Sequence, residues 1–155
     1  SLCGDTSKSI DVVKYALEIH EHRHKTVPEL TILLELTSPF RRYSRILSAV
    51  KKLISEPSYG SVFSGSLSSA RSFKTLSHLF EIDVLNMPGP SPKERGTFID
   101  ANGNFYVSRT SSILEHSTLF SSKVATIITS LEEAVDIDDV NDLEAAEVIA
   151  KNLGI

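Results

Sequence analysis

Cysteine is almost missing from this chain, since Cys3 is the sole one among 155 residues. That excludes an internal disulfide and a thiolate zinc cluster, and it fits a reducing, cytoplasmic setting. Long apolar runs are missing as well. The longest, such as Thr31–Leu34, falls far short of the roughly 20 residues that cross a bilayer, and the first residues lack the cationic-then-apolar order of a leader. There is no excess of basic charge. Lysine and arginine number 16 against 20 acidic residues, a formal net charge of -4, so nothing draws in nucleic acid or an anionic lipid surface. A GxxxxGK phosphate loop is absent, no Ser–His–Asp arrangement can be assembled, and no repeat at a fixed period suggests a solenoid.

What is present suits one packed domain, because 41% of the residues are hydrophobic. Ile10, Val13, Ala16, Leu17 and His20 recur at helical spacing, which predicts a helix from about Ser9 to Arg23 with Ser9 as its cap. Leu30–Leu36 is a short apolar run broken only by Glu35, as in a buried strand that Pro39 ends. Ile46, Leu47, Val50, Leu53 and Ile54 form one stripe of a helix over about 42–54. A strand over Ser61–Gly65 completes a helix–strand–helix–strand order that points to parallel pairing with crossover helices. The serine-, proline- and glycine-rich stretch over about 66–100 reads as an excursion from the sheet. Asn104–Val107, Val124–Ile128 and Ala134–Ile137 read as extended. A last helix is expected from about Asp139 to Leu153, with Gly154 closing it.

The acidic stretch from Glu132 to Glu147 contains no basic residue, and such a density invites a cation. Alternation along an extended chain would turn Asp136 and Asp138 to one side and Ile137 to the other, offering two oxygen ligands to one Mg²⁺. The plainer reading is a solvated helix start in which Asp139 caps and Asp142 and Glu144 favour the dipole. An EF-hand does not fit, because Val140 and Asn141 stand where an oxygen ligand and a glycine are needed. Thr37-Ser38-Pro39, followed by Arg41 and Arg42, reads either as donors converging at a sheet edge or as an ordinary capping turn. His20, His22 and His24 read as a solvated helix end rather than a zinc site, since His22 points away from the i, i+4 pair.

Three segments, in order, resemble the CMP-acylneuraminate synthetase family of nucleotidyltransferases. Leu33-Leu34-Glu35-Leu36-Thr37-Ser38-Pro39-Phe40-Arg41 looks like the family's strand ending in Thr-Ser-Pro and a basic residue. Asn102-Gly103-Asn104-Phe105-Tyr106 is similar to its Asn-Gly-x-x-Tyr segment, and Val135-Asp136-Ile137-Asp138 is similar to its Asp-Ile-Asp signature. The resemblance implies a three-layer α/β/α fold of the nucleotide-diphospho-sugar transferase kind, with a mixed, mainly parallel sheet and a projecting dimerisation element over about 108–123. It implies a cytidylyltransferase that joins CTP and an acidic nine-carbon 2-keto sugar into a CMP-sugar and pyrophosphate. Asp136 and Asp138 would hold Mg²⁺, with Asp138 catalytic. Glu35, Thr37, Ser38, Arg95, Asn102, Gly103 and Tyr106 would bind substrate, and Leu119 and Phe120 would lie in a homodimer interface.

Departures from the family pattern are equally specific. The family's opening strand and its loop of arginine, serine and lysine have no counterpart before the first helix, so turnover by this chain alone is expected to be impaired. The other outcome is a non-catalytic dimerising remnant, or a subunit that pairs with a nucleotide-binding chain. Glu35 stands where the family has glutamine, and Asp100 stands at an expected basic position.

Overall fold

The computed structural model describes residues 8–68, 98–121 and 123–155. Its first helix, α1, runs Ser9–His24 and buries Val13 and Leu17, one turn apart. The cap position is Lys8, without a side-chain bond, which corrects the expected Ser9 cap. Ser9 is already helical, and its hydroxyl donates instead to Glu35 Oε1 at 3.1 Å. Lys25 closes the helix at φ 56, returning its N–H to the Glu21 carbonyl.

Strand β1 spans only Leu30–Leu33, shorter than the run to Leu36 that composition suggested. Beyond Leu33 the chain turns, with Ser38 N–H donating to the Glu35 carbonyl at 3.4 Å, so the strand has no further register to follow. It is not buried on both sides either, because Ile32 remains 44% exposed. Helix α2 (Tyr43–Ser55) buries Leu53 of the expected stripe together with Ala49, which the stripe did not include, while Ile54 is exposed, and it ends at Glu56, just before Pro57. Then come β2 (Ser61–Ser68), β3 (Phe98–Arg109), α3 (Thr110–His116), β4 (Val124–Ile128) and α4 (Val140–Leu153). β3 is much longer than the expected Asn104–Val107. Every element lies in the main unit, residues 1–66 and 101–155, apart from the outer ends of β2 and β3.

The sheet is mixed, in the order β1-β3-β2-β4. β1 pairs antiparallel with β3, and β2 pairs parallel with β4. Between β3 and β2, Arg109 N–H donates to the Gly60 carbonyl, Phe105 N–H to Ser64 Oγ, and Asn102 to Ser66. Residue numbers therefore rise along one strand as they fall along the other, and β3 runs against the other three. The helix–strand alternation predicted parallel strands and had no signal for this reversed one.

Period-two alternation then fills both faces. Val62, Phe105 and Val107 pack with Ala49 and Leu53 of α2 on one side. Val13 and Leu17 of α1 pack with Ile113 of α3 on the other, with Leu33 and Leu119 against them. Helix α4 starts as expected: Asp139 accepts from the N–H groups of Asn141 and Asp142, Asp142 reciprocates, and Gly154 ends it at φ 74.

Candidate functional site

The site grows from one irregularity in β3. Gly103 sits at φ 72, a left-handed conformation that side chains other than glycine adopt only under strain. A Cβ placed there would lie 3.6 Å from Ser38 Oγ, 3.8 Å from Asp136 Oδ2 and 3.9 Å from Glu35 Cγ. Three of the sequence-predicted segments thus converge on this glycine. They are also joined through the backbone, since Ile137 N–H donates to the Thr37 carbonyl at 2.9 Å. The Thr-Ser-Pro turn and the Asp-Ile-Asp segment are direct neighbours.

Ala134–Ile137 is not the expected strand. Leu131–Ala134 is a turn, closed by Ala134 N–H on the Ser130 carbonyl at 3.1 Å, and the chain past it is irregular. Alternation survives nonetheless: Asp136 and Asp138 are exposed and Ile137 between them is half-buried. The backbone bond to Thr37 does locally what a strand ladder would have done.

Ser38 is fully buried, and its hydroxyl has no hydrogen-bond partner. Arg41 sends Nε to the Asn104 carbonyl at 2.7 Å, while one terminal nitrogen is buried and unpartnered. Burial lowers the Arg41 pKa, and the Glu35 carboxylate pulls against that shift. Tyr106 is pushed up by burial first and by the Glu35 and Asp136 charges next, which places its hydroxyl in their field. Its ring stands edge-on to Phe120 at 5.7 Å, and Phe120 in turn is edge-on to Phe63 at 5.4 Å.

Other predicted residues take structural places. Asn102 donates to Ser66 Oγ at 2.8 Å and to Thr129 Oγ1 at 2.6 Å, so both amide hydrogens brace β3 beside Gly103. Leu119 packs half-buried against the α1 cluster, whereas Phe120 is 42% exposed. Arg95 lies outside the described residues. Glu133 departs furthest from expectation, because the acidic stretch suggested a cation-binding carboxylate and the structure buries it to 2% exposure. It accepts from Ser130 N–H at 3.0 Å and pairs with Arg45 at 3.3 Å and Arg42 at 3.7 Å. Burial alone would raise its pKa, but the Ser130 N–H and the Arg45 and Arg42 charges outweigh it and hold the carboxyl below its ordinary value. Its backbone carbonyl accepts from buried Asn104 at 2.7 Å. Arg41, Asn104 and Glu133 form the floor of the site. Only Arg41 carried a sequence signal, as the basic residue after Thr-Ser-Pro.

Among the described residues no cluster of three or more histidine, cysteine, aspartate or glutamate side chains is placed to hold a metal. Asp142 commits one carboxylate oxygen to the N–H groups of Asp138 and Asp139 in the helix cap. Asp136 and Asp138 make no ion pair among the described residues and are exposed. Two free carboxylates fit Mg²⁺, which commonly takes one or two from the protein and completes its shell with water and phosphate oxygens. They do not fit an ion caged by protein alone.

No protein-family model matches the chain. Solved structures do resemble it. A 4-diphosphocytidyl-2C-methyl-D-erythritol synthase from Anaerococcus prevotii superposes with a TM-score of 0.61 at 12% identity, over 94% of this chain and 68% of that one. A CMP:2-keto-3-deoxy-manno-octonic acid synthetase complexed with CTP superposes with a TM-score of 0.60 at 15% identity, over 97% of this chain and 70% of that one. At such identities the likeness establishes the fold: an α/β architecture of the nucleotide-diphospho-sugar transferase kind. No helix among the described residues is long and apolar enough to cross a membrane.

Proposed function

We propose that this chain carries the acceptor and Mg²⁺ half of a cytidylyltransferase site. The reaction would transfer CMP from CTP to a sugar hydroxyl with release of pyrophosphate. The observation that carries this reading is the junction at Gly103, where Ser38, Asp136 and Glu35 meet while Ile137 bonds to Thr37. The fold shared with two cytidylyl enzymes supports it. An acidic nine-carbon acceptor, the finer reading, rests on the sequence resemblance.

Asp136 and Asp138 would hold Mg²⁺, and the ion would supply charge neutralisation for the triphosphate. The chain's own residues do the rest. Ser38 and Arg41 would offer donors to an acceptor bound over Gly103, Asn102 fixes β3 beside that glycine, and Tyr106 and Phe120 would wall the site on the sheet side. Titration calorimetry tests the metal half: Mg²⁺ with CTP should give heat that Asp138→Ala abolishes. Identical heats in both proteins would remove the site.

A second reading, a non-catalytic subunit that assembles with a copy of itself, is favoured by a separate feature. Val12 and Leu17 of α1, with Pro28, Leu30 and Ile32, line an apolar groove of about 350 Å³. Val12 and Ile32 are 43% and 44% exposed there, and exposed apolar faces favour association. The same calorimetry, run beside light scattering, separates the readings, because the subunit forms a homodimer yet gives no heat with Mg²⁺ and CTP.

A further inference from the structure

The charges around Gly103 bear on what kind of acceptor fits. Glu35 Cγ lies 3.9 Å and Asp136 Oδ2 3.8 Å from the position a Gly103 Cβ would occupy, and the Glu35 charge is felt by both Tyr106 and Arg41. One oxygen of Glu35 accepts from Ser9. No cation forms an ion pair with Glu35 among the described residues, Arg41 being coupled to it only through its field. Arg42 and Arg45, the nearby alternatives, are engaged by Glu133. The fully buried, unpartnered Ser38 hydroxyl lies 3.6 Å from the same point. Around Gly103 the structure therefore gathers acceptor-only carboxylates together with a hydroxyl and a guanidinium nitrogen that are buried without partners.

A hydroxyl matches both sides, because it donates to a carboxylate and accepts from a serine or arginine. A carboxylate matches only the donors, and against Glu35, which the reading leaves without a cation, it meets like charge. We propose that Glu35 is the specificity-determining residue of the acceptor cleft and selects a neutral, hydroxyl-bearing sugar face over an anionic one. This inference rests on the reading of the Gly103 junction as an acceptor-sugar site and departs from the acidic acceptor that the sequence resemblance implies, because Glu35 stands where the family has glutamine.

Two probes of one shape that differ in charge provide the test: N-acetylneuraminic acid and its methyl ester. Each is titrated into the whole ¹⁵N-labelled chain while the Gly103 amide resonance is followed. The neutral ester should bind about tenfold or more tighter than the acid to the unaltered protein. Glu35→Gln, which keeps shape and removes charge, should narrow that ratio to about twofold. Equal or tighter binding of the acid by the unaltered protein overturns the inference, and that comparison needs no variant. A ratio unchanged in a folded Glu35→Gln protein overturns it too. If neither probe moves Gly103, the acceptor-site reading itself fails and this inference with it, an outcome distinct from reversed preference.

Discussion

Glu133→Ala should cost about 3–5 kcal/mol of folding stability, the range for leaving a buried ionic network without one partner. Glu133 is 2% exposed and joins the Ser130 turn, Arg45 of α2 and, through its backbone, Asn104 of β3. Alanine leaves the Ser130 N–H without an acceptor and Arg45 without its counter-charge, and opens space in their place. Arg42 adds little, because it is 60% exposed and such pairs are screened. Urea denaturation should show a lowered midpoint with an unchanged slope. A shift below about 0.5 kcal/mol would contradict the account of this network.

Glu133 also sets an acid limb. Its folded pKa is depressed because the Ser130 N–H, Arg45 and Arg42 favour the charged form more than burial disfavours it. A depressed carboxyl contributes stability that is present above its unfolded value, about 4.3, and lost as pH falls through the folded one. The unaltered protein should therefore lose stability more steeply below about pH 4.3 than Glu133→Gln, which lacks this one titrating carboxyl.

Arg109→Ala should destabilise by about 2–3 kcal/mol, through lost charge-assisted bonds to buried carbonyls. The guanidinium donates from Nε to the Tyr59 carbonyl at 3.1 Å and from Nη2 to the Leu53 carbonyl in the last turn of α2. Helix-terminal carbonyls lack intrahelical partners, and a cation there also complements the helix dipole. Its pair with Glu29 at 3.5 Å adds little, since Glu29 is 78% exposed. Arg109→Lys should recover less than half of the loss, because one ammonium cannot span both carbonyls in a planar fork. Thermal unfolding measures both variants. Full recovery by lysine would show that charge alone, not the two-carbonyl bridge, is at work.

Much of this architecture was legible because its determinants are local. The stripes of α1 and α2, the five residues of β4 and the Asp139–Gly154 limits of α4 follow from periodicity and capping chemistry that neighbouring residues supply. What could not be read depends on distant partners. β3 runs against its neighbours because of which strands it meets, and nothing within Phe98–Arg109 encodes that. β1 stops at Leu33 because the Glu35–Ser38 turn intervenes, although Leu34 and Leu36 continue the apolar pattern.

The site divides along the same line. Thr37, Ser38, Gly103 and Asp136 were identified from short motifs, and the fold brings Ser38 and Asp136 to one glycine. Glu133 was indistinguishable in sequence from its acidic neighbours, because its role depends on Arg45 lying 88 positions away. Asn102 was read as substrate-binding from its motif alone, and the anchoring of its amide to Ser66 and Thr129, 36 and 27 positions away, had no local signal.

The account stands on a divalent ion sitting between the Asp136 and Asp138 carboxylates beside the Thr37 turn. Mn²⁺, a paramagnetic substitute for Mg²⁺, reports this most directly by broadening nearby amide resonances. Sub-stoichiometric Mn²⁺ should erase the signals of Asp136, Ile137, Asp138 and Thr37 first, with Mg²⁺ restoring them and Asp136→Asn preventing the effect. Broadening that starts elsewhere, at the His20–His24 end of α1 for instance, or that persists unchanged in Asp136→Asn, would contradict it.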